Sequence, residues 1–406
     1  MTQTVLDAIA SDPRKLGWMQ GFPPPPERQV VWHRGDHGCF PQTRWAFSHF
    51  RELFPTARVA GAPGADLPRA IDPALGAIRF TPVGSDTPLT LDQALLETYT
   101  DGLLVVHKGH VVYERWFGVT GPDTRHIAFS VTKSFVGTLA AMLVAQGMLD
   151  PAAPVVHYVP ELARSGFGNA TVAQVMDMTT AIDFSEDYTD PHSGIGAYST
   201  AIGFVPTPPD YRGPRDMWSF LTGIGAHGTH GAAFTYRTCN TDVLNWIVTR
   251  ITNTSFADNL ARYLWQPLGL GDADVLVDGI GTPFAGGGLC LRLDDLARFG
   301  EMLRRGGQGV VPAAAISAIR AGGAPDRFDT AHYPVLTGWS YGSQWWHSHG
   351  RDGGYSARGI HGQALWIAPE ADVVIARFGS HPVAGNAGND PVSIPLYHAI
   401  GQALSA

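Results

Sequence analysis

One stretch limits the fold and chemistry of this chain more than any other: AFSVTKSFVGTLAAMLVAQGMLD, residues 128–150. Val131, Phe135, Leu139, Met142 and Leu143 recur at helical spacing, which predicts a mostly buried helix of about four to five turns. Ser130 stands at its N-terminal end, and Lys133, three residues on, lies over the same face of the first turn. The first N–H groups of a helix have no partner inside it, and its positive end favours a developing oxyanion. A serine hydroxyl is a poor nucleophile until a base takes its proton, and a desolvated lysine can do so. With 19 serines and three lysines (Lys15, Lys108, Lys133) in 406 residues, roughly 0.14 Ser-x-x-Lys pairs arise from composition alone. The one found opens a helix, which is the context the motif needs.

The surrounding pattern predicts an α/β chain of the α+β kind. LLVVH (103–107), a Lys108-Gly109 turn and HVVYERWF (110–117) read as a β-hairpin. TVAQVMDM (171–178) opens on Thr171 as a plausible N-cap, and TDVLNWIVTRITN (241–253) has helical spacing. LDDLARFGEMLRRGG (293–307) reads as an amphipathic helix ending in glycine. GSQWWH (342–347), QALWIAP (363–369) and DVVIARFG (372–379) read as strands, the last two paired antiparallel. A helix near 392–404 closes the chain, and residues 1–75 read as a loop-rich arm around a larger body. A mainly helical region, 166–284, is thus expected between the two parts of an α/β unit, 1–165 and 285–406.

Composition removes several function classes. Lys and Arg number 28 against 36 Asp and Glu, a net charge of −8 without a basic run. Such a chain has no reason to seek nucleic acid or anionic lipid. No apolar run reaches the roughly 18 residues of a membrane span, and the start, MTQTVLDAIASDPRK, has no secretory pattern, so the cytoplasm is expected. Cys39, Cys239 and Cys290 are too few and too scattered for a disulfide framework or a thiolate metal site. The 16 histidines form no H-E-x-x-H, and no phosphate loop or dinucleotide fingerprint occurs. No metal or cofactor is expected, and the partner is a small-molecule substrate.

Three further places bear on chemistry. Tyr236, in FTYRTCNTDVL, precedes a helix; beside a lysine its proton would be lost more easily, so it could act as a general base. Gly359-Ile360-His361-Gly362-Gln363 leads into an apolar strand, where the Ile360 N–H could be a second oxyanion donor with that of Ser130. Gly338-Trp339-Ser340-Tyr341-Gly342 matches G-x-S-x-G, but a nucleophile elbow needs a helix after the serine, and SQWWHSHG reads as strand and turn.

Ser130-x-x-Lys133, a downstream Tyr236 and a C-terminal glycine-bearing strand resemble the serine β-lactamase and penicillin-binding-protein superfamily, nearest its class C β-lactamases and related esterases. QTRWAFSHFRELFPTARV (42–59), VTKSFVGTL (131–139), HYVPELA (157–163), DFSEDYTDP (183–191), NTDVLNWIVTRIT (240–252) and GIHGQALW (359–366) are similar to the 6-aminohexanoate-dimer hydrolases, which cleave the amide of short linear nylon oligomers. The resemblance implies a β-lactamase-like fold, an antiparallel sheet flanked by helices with the helical region beside the site. It implies Ser130 as nucleophile, Lys133 with Tyr236 handling the proton, and the N–H groups of Ser130 and Ile360 as oxyanion hole. Tyr188 matches a substrate-contacting tyrosine; Trp345 and Trp346 match a pair near the pocket, where core packing reads equally well for one of them, and Tyr188, Trp346 and His361 are the expected substrate-binding residues. A homodimer is also implied. Two departures stand out: Tyr236-Arg237-Thr238 replaces the wider superfamily's Tyr-x-Asn, and the Lys-Thr-Gly box of β-lactamases, which binds the β-lactam carboxylate, is missing. The expectation is a serine hydrolase of linear amides or esters; the rivals on the same fold are a carboxylesterase, a β-lactamase and a D-aminopeptidase-like enzyme.

Overall fold

A computed structural model describes residues 5–405. Seven strands form the main sheet: β1 Thr100–His107, β2 His110–Trp116, β3 Ser340–Gly342, β4 Trp345–His347, β5 Tyr355–Gly359, β6 Gln363–Ala368 and β7 Val373–Gly379. Their spatial order is β2-β1-β7-β6-β5-β4-β3, antiparallel throughout. The β1–β2 hairpin closes at Lys108 and Gly109, with φ of 48° and 84°, the left-handed pair that matches strand twist in a two-residue turn.

Six helices of eight or more residues occur among the described residues: α1 Val131–Ala145, α2 Gly194–Ala201, α3 Cys239–Thr252, α4 Leu293–Arg304, α5 Ala313–Ala321 and α6 Asp390–Ser405. The sheet is covered on both faces, and its strands show why. In β1, Leu104 and Val106 join one apolar cluster while Leu103 and Val105 join another, the period-two alternation of a strand. The first cluster holds α1 and α4; the second holds α6 and the Leu91–Glu97 helix.

Every residue of α1 from Val131 to Leu143 is buried, so this helix is core on all sides. Its polar members are satisfied: the Ser134 hydroxyl donates to the Gln344 carbonyl (2.7 Å), and Thr132 Oγ1 accepts from the Leu289 N–H (3.2 Å). Phe135 stacks on Phe299 with ring centroids 4.0 Å apart; truncating it to alanine costs about 3–5 kcal/mol.

Two expectations change. Residues 342–347 are not one strand but the turn and second arm of a β3–β4 hairpin, with Ser343 and Gln344 at φ 51° and 66°. Ser-Gln carries no turn signal of its own. Tertiary bonds impose the turn: the Ser343 N–H donates to Asp177 (2.8 Å), and Gln344 Nε2 donates to the Val175 and Met176 carbonyls at 3.1 and 3.0 Å. The N-terminal arm is also more than a wrap. Thr56–Val59 pairs with Ala273–Leu276 in a small second sheet that continues through Leu289–Leu291 to His126–Ile127. Phe47 and Phe50 of the arm pack against Phe129, beside Ser130.

Residues 166–284 contribute α2, α3, shorter helices and one strand. The first cluster joins Val136, Val175 and Trp265 into one core, and the division into 1–165 with 285–406 and 166–284 is a proposal about architecture. No helix is long and apolar enough to cross a membrane among the described residues.

Candidate active site

The site is built where β5 meets the start of α1. Phe129, immediately before Ser130, is held at φ 44°. A left-handed aromatic residue costs about 1–3 kcal/mol and persists only where its surroundings over-determine it; edge contacts to Phe47 (4.9 Å) and Phe50 (5.8 Å) supply the clamp. The turn leaves Ser130 at the mouth of the helix, 9% exposed, with Lys133 below it at 1%.

Lys133 Nζ donates to Ser130 Oγ at 2.9 Å and to the Gly286 carbonyl. Burial pulls its pKa from 10.5 to about 8, against the counter-pull of Glu186, Asp242 and Cys239. A lysine so placed has a usable neutral fraction near pH 7–8, as a general base requires.

Tyr236 completes the cluster. Lys133 Nζ lies 5.3 Å from the centre of its ring, and its phenol interacts with the Ser130 hydroxyl, which draws its pKa down. The Tyr236 phenol and the Ser130 hydroxyl make no hydrogen bond of ordinary geometry. The net effect on the phenol is opposite to the expectation from sequence. Burial first, then the Glu186 carboxylate, push its pKa well above 10.0. The Tyr236 phenol therefore keeps its proton at neutral pH.

The amide pair is assembled by a close approach. A Cβ on Gly359 would lie 2.8 Å from the Ala128 carbonyl and 3.1 Å from Ser130 N, so only glycine lets β5 reach the helix mouth. The carbonyls on this turn are already engaged: Asn386 Nδ2 donates to Gly359 O (3.0 Å) and Gln363 Nε2 to Ile360 O (3.2 Å). Neither the Ser130 N–H nor the Ile360 N–H has a protein acceptor among the described residues. Two unpaired amides beside a hydroxyl are suited to hold an oxyanion.

The other residues singled out divide by surroundings. Trp346 stacks on Tyr236 (5.5 Å, 29°) with the Arg358 guanidinium 5.1 Å from its ring centre. Trp345 faces the opposite way, fully buried against Tyr355 and Phe299, as alternation along a strand requires. His361 is left-handed (φ 61°), its Nδ1–H donates to the His381 carbonyl (2.7 Å), and its ring meets Phe47. Burial lowers its pKa to about 4, so it is neutral at pH 7. Tyr188 is 40% exposed, and its hydroxyl donates to Glu186 (2.6 Å). Burial of the hydroxyl and the Glu186 charge push its pKa well up.

Glu186, Asp242 and Arg237 have no signal in the sequence beyond lying in or near the quoted segments. Glu186 accepts from the Thr238 N–H (2.9 Å) and hydroxyl. Arg237, at the middle of the departed Tyr-x-Asn box, donates to the Phe184 (2.9 Å) and Thr180 (2.7 Å) carbonyls and so ties the Tyr188 loop to the Tyr236 segment. Ser340 has a base of its own, His349 Nε2 at 2.7 Å, but sits in β3 with 0% exposure and no helix behind it. A separate surface cavity of about 640 Å³, lined by Trp218, Trp246 and Arg250, shares no residue with this cluster. No set of three or more His, Cys, Asp or Glu is placed to hold a metal among the described residues.

Comparison with known proteins gives a consistent picture. A model described as beta-lactamase matches residues 93–391. A 6-aminohexanoate-dimer hydrolase of Paenarthrobacter ureafaciens is 38% identical over 348 residues, covering 84% of this chain and 86% of that protein. A solved structure from Bacillus anthracis, provisionally named a 6-aminohexanoate-dimer hydrolase, superposes with a TM-score of 0.82 at 27% identity, over 91% of this chain and 96% of that one. A D-stereospecific amidohydrolase from a Streptomyces species shares the fold at a TM-score of 0.54 and 17% identity, over 71% and 92% of the two chains.

Proposed function

Because the chain belongs to the β-lactamase family of serine hydrolases, we propose that it cleaves linear amides of the 6-aminohexanoate-oligomer type, and carboxylic esters with a similar acyl chain, through an acyl-enzyme on Ser130. The observation that carries the reading is the 2.9 Å contact from a buried, pKa-lowered Lys133 to a serine at a helix mouth.

Neutral Lys133 takes the Ser130 proton as Oγ attacks the substrate carbonyl carbon. The carbonyl oxygen becomes an oxyanion held by the Ser130 and Ile360 N–H groups. Tyr236, whose phenol keeps its proton, gives that proton to the leaving nitrogen or oxygen, the C–N or C–O bond breaks, and Lys133 restores the phenol. Water then attacks the Ser130 ester with the same groups in reverse roles, releasing the acid and the free serine. On the substrate side, the reading assigns Tyr188 to the entrance, Trp346 to the wall behind Tyr236 and His361 to the back of the oxyanion turn. The apolar stem of an aminohexanoyl group suits an aromatic wall, at about 0.8 kcal/mol per buried methylene. A homodimer in the cytoplasm completes the reading; the supports are the family resemblance and three unpaired cysteines.

The test is hydrolysis of the 6-aminohexanoate linear dimer and a p-nitrophenyl ester by the parent and by Ser130→Ala. Loss of both activities in the variant supports the reading; retained turnover on both removes Ser130 as nucleophile. Nitrocefin hydrolysis as fast as ester hydrolysis would favour a β-lactamase instead.

A further inference from the structure

A second carboxylate lies under the site and plays no part in the steps above. Asp242, on α3, is 0% exposed. Its Oδ2 accepts from the Tyr198 hydroxyl of α2 (2.7 Å), and its Oδ1 accepts from the Gly286 N–H (2.9 Å). The carbonyl of that same Gly286 accepts from Lys133. A Cβ at 286 would fall 2.7 Å from Asp242 Oδ2 and 2.6 Å from Thr238 Cγ2, so the glycine is wedged between α3 and the lysine. Four elements distant in the chain thus meet in one line: phenol, carboxylate, glycine peptide, amine.

We propose that Asp242, with Tyr198 behind it, is a positioning residue that holds the Gly286 carbonyl against Lys133 and, together with Glu186, supplies the buried negative charge that sets when the amine becomes free to take the Ser130 proton. The proposal rests on the acyl-enzyme reading above and deepens it. A buried charge is retained only where it is hydrogen-bonded and paired. Here the bonds come from Tyr198 and Gly286, and the opposite charge acting on the carboxylate is Lys133. Burial raises the carboxyl to about 7, against those three partners and the Ala285 N–H. The groups facing Lys133 are Glu186 from the Tyr188 loop, Asp242 and Cys239 from α3, and the Tyr236 ring. Those facing Tyr198 are Asp242, Cys239 and Asp278. Glu186 already accepts from Tyr188 and Thr238, which leaves Asp242 as the carboxylate tied to the lysine through a shared residue.

The sign follows. Removing a negative charge beside an ammonium makes its proton easier to lose, so the lysine titrates at lower pH. The experiment measures the rate of covalent labelling of the full-length protein by a fluorophosphonate from pH 5 to pH 10, a readout of Ser130 nucleophilicity that needs no knowledge of the natural substrate. Asp242→Asn is expected to move the midpoint of the rising limb down by about one pH unit and to lower the plateau about tenfold. Tyr198→Phe keeps the ring but removes the donor that keeps Asp242 ionised, so it moves the midpoint the same way by less. It also carries the test if Asp242→Asn does not fold, with circular dichroism and a cooperative melt as the check. Folded variants whose midpoints coincide with the parent's, whatever their plateau, overturn the positioning role and leave Asp242 a packing group. A parent that is never labelled at Ser130 overturns instead the reading on which the inference rests.

Discussion

Ser130 and Ser340 each share a hydrogen bond with a basic nitrogen, at 2.9 Å to Lys133 and 2.7 Å to His349. Judged by the base alone, the edge-strand serine has the shorter contact. What separates the two regions is everything else. Ser130 stands at the N-terminus of a 15-residue helix, between two amides without acceptors and beside a phenol that keeps its proton. Ser340 sits in β3, paired across the hairpin to His347, and is fully buried. A nucleophile needs a base, but also a place for the oxyanion and a donor for the leaving group. Of these two serines, Ser130 is the one with candidates for all three beside it among the described residues.

The comparison can be broken or sharpened by substitution. Ser130→Ala should have the largest effect, a fall in kcat/KM of about 10⁴ or more on any substrate the parent turns over. Lys133→Ala should follow, with a loss of about a thousandfold, because the hydroxyl loses its base. Tyr236→Phe should cost about a hundredfold in kcat, more on the amide than on a p-nitrophenyl ester, whose phenolate leaves without a proton. A p-nitrophenyl ester that suffers as much as the amide would contradict Tyr236 as the leaving-group acid.

The pH profile gives a milder and signed effect. In the proposed mechanism Lys133 acts as the neutral amine, so below its pKa of about 8 the rate should fall tenfold per pH unit, and above it level off. A lysine at its ordinary 10.5 would still be gaining rate at pH 9.5; a stopped pH series on the p-nitrophenyl ester separates the two. Ser340→Ala should have the smallest effect, activity within about twofold of the parent. A loss comparable to that of Ser130→Ala would reverse the comparison.

How much of this was legible in the sequence depends on how local each signal is. The β1–β2 hairpin and α1 announce themselves through Lys108-Gly109 and through an apolar period. Ser130 with Lys133 is a contact within one helical turn, and so readable from spacing. Tyr236 and Ile360 are weak candidates from their local sequence, strengthened by the resemblance, since nothing local brings residue 236 or 360 to residue 130. Glu186 and Asp242 were not legible at all: their partners lie 52 residues away at Thr238 and 44 away at Gly286. The upward shift of the Tyr236 phenol was missed for the same reason, because it comes from burial and from Glu186. The β3–β4 turn at Ser343 and Gln344 was misread as strand because Asp177, Val175 and Met176 impose it from outside. Helix α5, Ala313–Ala321, went unread, although its alanines favour a helix and Ala315, Ile316 and Ile319, its buried residues, stand at helical spacing.

The most direct test of the account is the location of the acyl group. The parent is mixed with excess p-nitrophenyl ester, quenched in acid during the burst, digested and mapped by mass. The account predicts one acyl group on the peptide containing Ser130, and none in Ser130→Ala. An acyl group on the peptide containing Ser340, or turnover with no acylated peptide, would contradict it.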